Sequence, residues 1–262
     1  MLRRLAVAGV AVALAGPAAA GEDPLASVMW DVLRPALFGE APVVFDERVR
    51  VVAPDDAEDA AAVPVLADAT ALGRVEEMVL FADLNPYPVI LRFHPLAARP
   101  LVATRLKVQQ ATPLRAAART PDGVWHVGGR LLDAAGGGCT APPATYAQAD
   151  WADHVGKVQA RAWAPAAVGG ATRVRLRVRH PMDTGLVAGI PAFFLETLSL
   201  RDSGGRELAR LEPLEPVSEN PVFTLEVEAA PGSGGLTLAG RDNQGNPVAA
   251  TIPLPRAEGA LP

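Results

Sequence analysis

The hydrophobic positions of this chain fall into short runs that are bounded by proline, aspartate and glycine. Val43–Phe45, Val63–Leu66 and Val75–Ala82 are examples in the first half. From Arg173 to Arg179, arginine alternates strictly with valine or leucine. A period of two predicts a strand with one buried and one solvated face, and short apolar runs between turn residues are typical of antiparallel sheets. The pattern therefore predicts a chain built mainly of β-strands.

Two stretches of the first half refine this pattern. Apolar residues recur at helix-like spacing from Leu25 to Phe38, with Pro35 as an interruption, which predicts a short helix before the first sheet. From Leu101 to Gln109, polar and apolar residues alternate as in a half-buried strand. That alternation groups Lys107 with Arg105 on the polar face of the strand.

Length and composition divide these strands between two domains. The 262 residues include 24 glycines and 25 prolines, a balance that favours strands and turns over long helices. The spacing of strands and turns is that of antiparallel sandwiches. We predict an all-β fold with a short N-terminal helix, a first sandwich over residues 21–139, a linker over residues 140–156 and a second sandwich over residues 157–262.

Residues 1–20 have the features of a secretory signal peptide. Arg3 and Arg4 precede an apolar stretch from Leu5 to Leu14, and small residues follow up to Ala20. The apolar stretch is too short to span a bilayer of ~30 Å as a retained helix. The paired arginines leave twin-arginine export open, but the general secretory route is favoured. We expect an exported protein with no membrane insertion of the mature chain.

The charge of the chain restricts its partners. The formal net charge is −5, and removal of the two arginines within residues 1–20 would make it −7. Nucleic acids and anionic membranes bind through clustered lysine and arginine, so an acidic mature protein argues against both. The alternating arginines from Arg173 to Arg179 are accordingly interpreted as a solvated face or a contact with a partner.

Cys139 is the only cysteine of the chain, and it follows Gly136, Gly137 and Gly138. A single thiol cannot form an internal disulfide. A lone cysteine is commonly buried as a small apolar residue, but a glycine run offers little apolar surface, so we predict an exposed thiol on a flexible arm. His126 lies one predicted strand earlier and is a possible neighbour that would lower the thiol pKa if charged.

The sequence offers no catalytic or metal centre of recognisable spacing. None of its four histidines lies within metal-motif spacing of another histidine or of Cys139, so no zinc motif is present. A thiol enzyme would need a base such as His126 within hydrogen-bond reach of a firmly held cysteine, and glycines do not fix a side chain. We therefore predict a protein that is not an enzyme and has no cofactor.

Motifs in both halves resemble two families of sulfur-oxidation proteins. Gly137-Gly138-Cys139, at the end of the first predicted domain, resembles the cysteine motif of SoxY. The run from His180 to Gly185, His-Pro-Met-Asp-Thr-Gly, is the most specific landmark that resembles SoxZ. The other matches are short segments in the same order along the chain: Asn85-Pro86 and Thr104-Arg105 for SoxY, and Ile190-Pro191, Ser218-Glu219-Asn220-Pro221 and Asp242-Asn243-Gln244-Gly245 for SoxZ.

The resemblance implies a carrier function. SoxY and SoxZ are immunoglobulin-like sandwiches, normally separate chains, which together form the sulfur carrier of periplasmic thiosulfate oxidation. The SoxY cysteine takes up a sulfur compound covalently on a swinging arm, and heme, hydrolase and dehydrogenase partners act on it. By resemblance, Cys139 is the covalent attachment site, Gly136, Gly137 and Gly138 form its arm, and the protein is periplasmic.

The chain departs from that pattern after the cysteine. Thr140-Ala141-Pro142-Pro143 follows, and the chain continues into the second domain, so the arm is tethered at both ends. This arrangement is similar to the SoxYZ-like carriers associated with quinoprotein (PQQ) alcohol dehydrogenase systems, which makes such a system a candidate partner beside redox or hydrolytic enzymes. An alternative is a structural partner or chaperone of that dehydrogenase, with the thiol incidental.

Overall fold

The structure is a computed structural model that describes residues 22–165, 170–229 and 234–255. The predicted signal peptide, residues 1–20, lies outside these ranges. The described residues form one α-helix, three short 3-10 helices and sixteen strands. The helix and the strands are α1 (Trp30–Phe38), β1 (Val43–Phe45), β2 (Arg50–Val52), β3 (Asp56–Ala57), β4 (Val63–Asp68), β5 (Glu77–Ala82), β6 (Val89–His94), β7 (Ala98–Leu106), β8 (Thr112–Arg119), β9 (Trp125–Ala134), β10 (Val158–Trp163), β11 (Thr172–Val178), β12 (Leu195–Arg201), β13 (Glu207–Pro213), β14 (Val222–Val227), β15 (Gly235–Asp242) and β16 (Pro247–Pro253).

The strands form two sheets, and each sheet contains strands of both halves of the chain. The ten-stranded sheet has the order β1-β9-β8-β5-β6-β13-β12-β15-β16, with β3 paired to β9, and the six-stranded sheet has the order β10-β11-β14-β7-β4-β2. Apart from the parallel pairs β1–β9 and β3–β9, the pairings are antiparallel. The predicted class, an all-β fold of immunoglobulin-like sandwiches with a short N-terminal helix, is confirmed.

The two halves are joined by strand pairing as well as by the predicted linker. Strand β6 of the first half pairs with β13 of the second, with Phe93 opposite Leu211, and β7 pairs with β14. Both of these side chains belong to one cluster of buried apolar residues that extends through both halves. Residues 140–156 contain two 3-10 helices, Ala144–Ala147 and Trp151–His154. The halves therefore share a core instead of folding around separate ones.

The N-terminal helix covers one face of the first half. Its buried residues include Trp30 and Phe38, and the ring of Phe38 lies 4.9 Å from that of Trp125 and 6.2 Å from that of Phe81. The helix starts later than its spacing predicted, because the Asp23 carboxylate accepts backbone hydrogen bonds from the residues that follow it and holds them in a turn. In the described residues, no helix is long and apolar enough to cross a membrane.

Most of the predicted strands are observed, but three of the longer strands were missed. Strand β11 has the predicted alternation, with every second side chain buried from Thr172 to Val178. Strands β10, β13 and β16 were not predicted. The structure also ends β7 at Leu106, so Lys107 leaves the strand instead of continuing its exposed face.

Candidate functional site

The glycine run before Cys139 is hydrogen-bonded along its length. The Gly137 amide donates to the Gln109 carbonyl at 3.1 Å, and the Gly138 amide donates to the Val108 carbonyl at 3.0 Å. Beyond the cysteine, the Thr140 amide donates back to the Gly137 carbonyl at 3.1 Å. Cys139 is thereby held beside the segment that follows β7.

Close packing explains why glycine is required here. Gly136 and Gly137 have φ values of 96° and 83°, which L side chains rarely adopt. A Cβ atom on Gly138 would lie 2.0 Å from the Ala60 carbonyl oxygen. The sequence predicted a flexible arm, whereas the structure packs Gly136 and Gly138 against neighbouring backbone and holds Gly137 through its amide hydrogen bond, which leaves no free arm.

The Cys139 thiol is buried, and the prediction of an exposed thiol is wrong. The residue is 1% exposed, and burial raises the pKa of its thiol to about 11, with only a partial opposing effect from the positive charge of Lys107. The burial depends on the second half of the chain, whose Thr184 hydroxyl donates to the Cys139 carbonyl at 2.6 Å. The glycine run itself offers little apolar surface, so sequence reasoning about that run alone missed this contribution.

Lys107 is the charged neighbour of the thiol. It is 3% exposed, although its position in the alternating pattern predicted a solvated side chain. Its ammonium donates to the Met182 carbonyl, and no carboxylate of the described residues lies within ion-pairing distance of it. Burial lowers the pKa of Lys107 to about 8, while the charges of Asp183 and Cys139 act in the opposite direction. The site thus holds a desolvated cation beside a desolvated thiol.

Backbone contacts at the end of β7 turn Lys107 inward. Its amide donates to the Pro216 carbonyl at 2.6 Å, and its carbonyl accepts from the buried Asn85 side-chain amide at 2.9 Å. The Asn85 side-chain oxygen also accepts from the Gln109 amide at 2.9 Å. These contacts come from residues remote in sequence, so no local signal could have identified Lys107 as part of the site.

The loop from His180 to Gly185 supplies the second-half wall of the site. Met182 has a left-handed backbone with a φ of 50°, and its amide donates to His180 Nδ1 at 3.1 Å. Burial lowers the pKa of His180 to about 4, against the attraction of Asp242, so this imidazole is neutral at neutral pH. Asp183 exchanges two backbone hydrogen bonds with Phe193, of 2.7 and 3.0 Å. The sequence singled out this loop as a motif without placing it beside Cys139.

The segment after Cys139 is fastened to the second half. The Glu219 carboxylate accepts from the Ala144 amide at 2.6 Å and from the Thr145 hydroxyl. Burial raises the pKa of Tyr146 to about 12, assisted by the charge of Asp183 and a hydrogen bond to it. These contacts hold the chain closed on the C-terminal side of the thiol. We call Lys107, Cys139, Met182, Asp183 and Thr184 the Cys139 site.

His126 is not part of the Cys139 site, which corrects its prediction as a thiol neighbour. Its Nδ1 lies 2.8 Å from the Asp46 carboxylate and its Nε2 lies 3.3 Å from the Thr120 hydroxyl. It is the second residue of β9, and the remaining eight positions of that strand span ~26 Å. His126 therefore lies at the opposite end of β9 from the segment that leads to Cys139. Within the described ranges, no group of three or more histidine, cysteine or acidic side chains is arranged to hold a metal ion.

Comparison with protein-family models finds one match in each half of the chain. The family model described as sulfur oxidation protein SoxY matches residues 34–139, and the model described as sulphur oxidation protein SoxZ matches residues 160–253. The chain therefore carries domains of two sulfur-oxidation families. The two matched regions follow one another along the chain, and the SoxY match ends at Cys139.

One solved structure similar to this chain is the sulfur carrier protein SoxY from Chlorobium limicola f thiosulfatophilum. It is 23% identical, and the match covers 40% of this chain and 90% of that chain with a TM-score of 0.37. No protein of curated function matches the sequence at a significant level.

Proposed function

We propose that this protein is a periplasmic, non-catalytic sulfur carrier that holds its cargo covalently on Cys139 while partner enzymes act on it. The observation that carries the proposal is the position of the only thiol. It lies at the end of the SoxY match, where it meets the His180–Gly185 loop of the SoxZ match and the buried ammonium of Lys107.

Attachment of a sulfur compound at this position is a redox step. A new S–S bond joins the Cys139 sulfur to a sulfur atom of the cargo, the thiol proton is released to solvent, and two electrons pass to a redox partner enzyme. Hydrolytic or redox partners then remove the cargo. Because a thiolate is the reactive form, a thiol with a pKa of about 11 is protected while the site is closed.

Loading therefore requires the site to open. The hydrogen bonds of Glu219 with Ala144 and Thr145 have to break for this opening, since they hold the segment immediately after the thiol. Water can hydrogen-bond the N–H and hydroxyl groups that this carboxylate releases, which lowers the free-energy cost of opening. In this mechanism a partner enzyme supplies the binding energy that exposes Cys139.

Intact-mass analysis of the protein purified from its native periplasm tests the proposal. We expect an added mass on Cys139 during growth on sulfur compounds, its removal by a disulfide reductant, and its absence from the Cys139→Ser variant. Thr140→Ser keeps the thiol and serves as the control. A Cys139 that stays unmodified under all growth conditions, together with a Cys139→Ser strain without a phenotype, would exclude the carrier function.

A second candidate is a structural partner or chaperone of a periplasmic quinoprotein (PQQ) alcohol dehydrogenase. The observation that favours it is the burial of the thiol, which is 1% exposed and has a raised pKa. Co-purification with that dehydrogenase decides between the candidates. Association that survives Cys139→Ala with full dehydrogenase activity supports the structural role, whereas loss of sulfur metabolism in the same variant supports the carrier.

A further inference from the structure

The arginines of the two sheets differ in their ion pairing with carboxylates. Each sheet carries seven arginines within its strands. In the ten-stranded sheet every one of them lies within ion-pairing distance of a carboxylate. Arg92 with Glu77 and Arg210 with Glu207, both at 2.7 Å, are typical. Positive charge on this sheet is thus neutralised within the protein.

In the six-stranded sheet only three of the seven arginines have such a partner in the described residues. Arg50 pairs with Asp68, and both Arg99 and Arg173 pair with Glu226, each at 3.2 Å. The four arginines without a carboxylate partner are exposed, and we call them the arginine surface: Arg105, Arg161, Arg175 and Arg177.

Strand register places Arg161, Arg175 and Arg177 on the adjacent strands β10 and β11, and β14 separates them from Arg105 on β7. Arg161 lies directly opposite Arg175 on the neighbouring strand, and Arg175 lies opposite Thr224 on the next. Neighbouring strands are about 4.8 Å apart, and like charges directly opposite each other destabilise a sheet. Binding of a negatively charged group would offset this repulsion.

A groove of 390 Å³ runs between two of these arginines. Arg105 and Arg175 flank it, its lining includes apolar residues such as Leu66 and Val222, and no acidic residue takes part in the lining. The groove offers an apolar floor between two exposed guanidinium groups. This combination suits a segment that presents carboxylates on either side of an apolar side chain.

We propose that the arginine surface is a docking site for an acidic partner protein. Complementary charge between surface patches selects partners and speeds their encounter. A polyanion such as nucleic acid fits less well, because the protein as a whole carries a net charge of −5 and single-stranded nucleic acid binds through a basic groove lined with stacking aromatics. The docking site is independent of the chemistry of Cys139.

Two matched double variants of the full chain test the docking site. Arg175→Ala/Arg177→Ala removes two unpaired arginines, and Arg210→Ala/Arg241→Ala removes two paired ones from the other sheet. The probe is a fluorescein-labelled peptide with four Glu-Glu-Leu repeats, followed by fluorescence anisotropy at low and physiological salt. We expect the first variant to bind the peptide about tenfold more weakly than wild type at low salt, and the second to bind it as wild type does.

A photo-crosslinking residue at Thr224, in the floor between the arginines, extends the test to the native host. We expect crosslinks to a protein segment rich in carboxylates, lost in Arg175→Ala/Arg177→Ala and unchanged in Cys139→Ser. Three results overturn the proposal: equal peptide affinity in both double variants, tighter binding of a thymidine 12-mer than of the peptide, or crosslinks that persist without the arginines. A failed carrier function leaves these measurements unaffected.

Discussion

The Cys139 site and the arginine surface differ in where they hold positive charge: the first buries it and the second exposes it to water. The Cys139 site buries one ammonium beside one thiol, at a position where both halves of the chain contribute walls. The arginine surface leaves four guanidinium groups in water on a single sheet. Desolvation shifts the pKa values of Lys107 and Cys139 strongly, whereas water and salt screen the exposed arginines. Burial therefore regulates reactivity in one region, and exposure favours recognition in the other.

The largest effect that separates the two regions is the pH dependence of stability. The pKa of Lys107 falls from 10.5 to about 8 on folding, so its contribution becomes more favourable as pH rises from 8 to 10.5. The pKa of Cys139 rises from 9.0 to about 11, so its contribution is lost as pH rises from 9 to 11. Each of these two contributions changes the free energy of unfolding by about 3 kcal/mol at most.

Urea unfolding between pH 7.5 and 11 separates the contributions of Lys107 and Cys139. Relative to wild type, we expect Cys139→Ala to keep gaining stability up to about pH 10.5 and Lys107→Met to lose the gain above pH 8. Arg175→Ala is the matched control from the arginine surface and should follow the wild-type profile. Parallel profiles for all four proteins would show that Lys107 and Cys139 are not desolvated as the structure indicates.

A second test compares two glycines of the run before Cys139. Gly138→Ala forces a Cβ against the Ala60 carbonyl at 2.0 Å, and we expect a loss of about 3 kcal/mol in the free energy of unfolding. Gly137→Ala meets no atom within 4 Å and has only the strain of its φ of 83°, for a loss of about 1 kcal/mol. Equal losses in chemical denaturation would contradict the close packing of Gly138.

The hydrogen bonds of Glu219 beside the Cys139 site predict a smaller effect, on the reactivity of the thiol. Glu219→Ala removes the acceptor of the Ala144 and Thr145 hydrogen bonds, and we expect the native-state reaction of Cys139 with an aromatic disulfide at pH 8 to become about tenfold faster, a change of about 1.4 kcal/mol in the opening equilibrium. Glu212→Ala, whose carboxylate lies 3.3 Å from His94, is the control. An unchanged rate in Glu219→Ala would place the opening elsewhere in the chain.

The arginine surface predicts the smallest change in stability. Arg161→Ala removes the repulsion with Arg175, so we expect a gain of a few tenths of a kcal/mol at low salt that disappears at high salt. Loss of the contact between Arg161 and the Trp163 ring, at 5.2 Å, opposes part of this gain. Thermal unfolding at two salt concentrations measures it, and a salt-independent loss would mean that Arg161 stabilises the sheet mainly by packing.

The exposed arginines of β7 and β11 could be predicted from the sequence, whereas Arg161 on the unpredicted strand β10, the ion pairing of Arg173 and the Cys139 site could not. Alternation from Arg173 to Arg179 indicated which side chains of β11 face solvent, because side-chain direction in a strand follows from local geometry. The same rule failed two residues beyond Arg105, where β7 ends and Lys107 turns inward to partners from remote parts of the chain. Strand ends are decided by tertiary contacts, and alternation does not reveal them.

The sequence by itself determined the all-β class, the strands with regular alternation, the glycine run before the only cysteine and the resemblance of its motifs to SoxY and SoxZ. The tertiary structure alone decided that the halves share both sheets through β6–β13 and β7–β14. It also decided that Cys139 is buried between Lys107 and the loop around Thr184. The physical reason is that hydrogen bonding between strands and desolvation depend on residues that are distant in sequence, whereas periodicity reports only what neighbouring residues do.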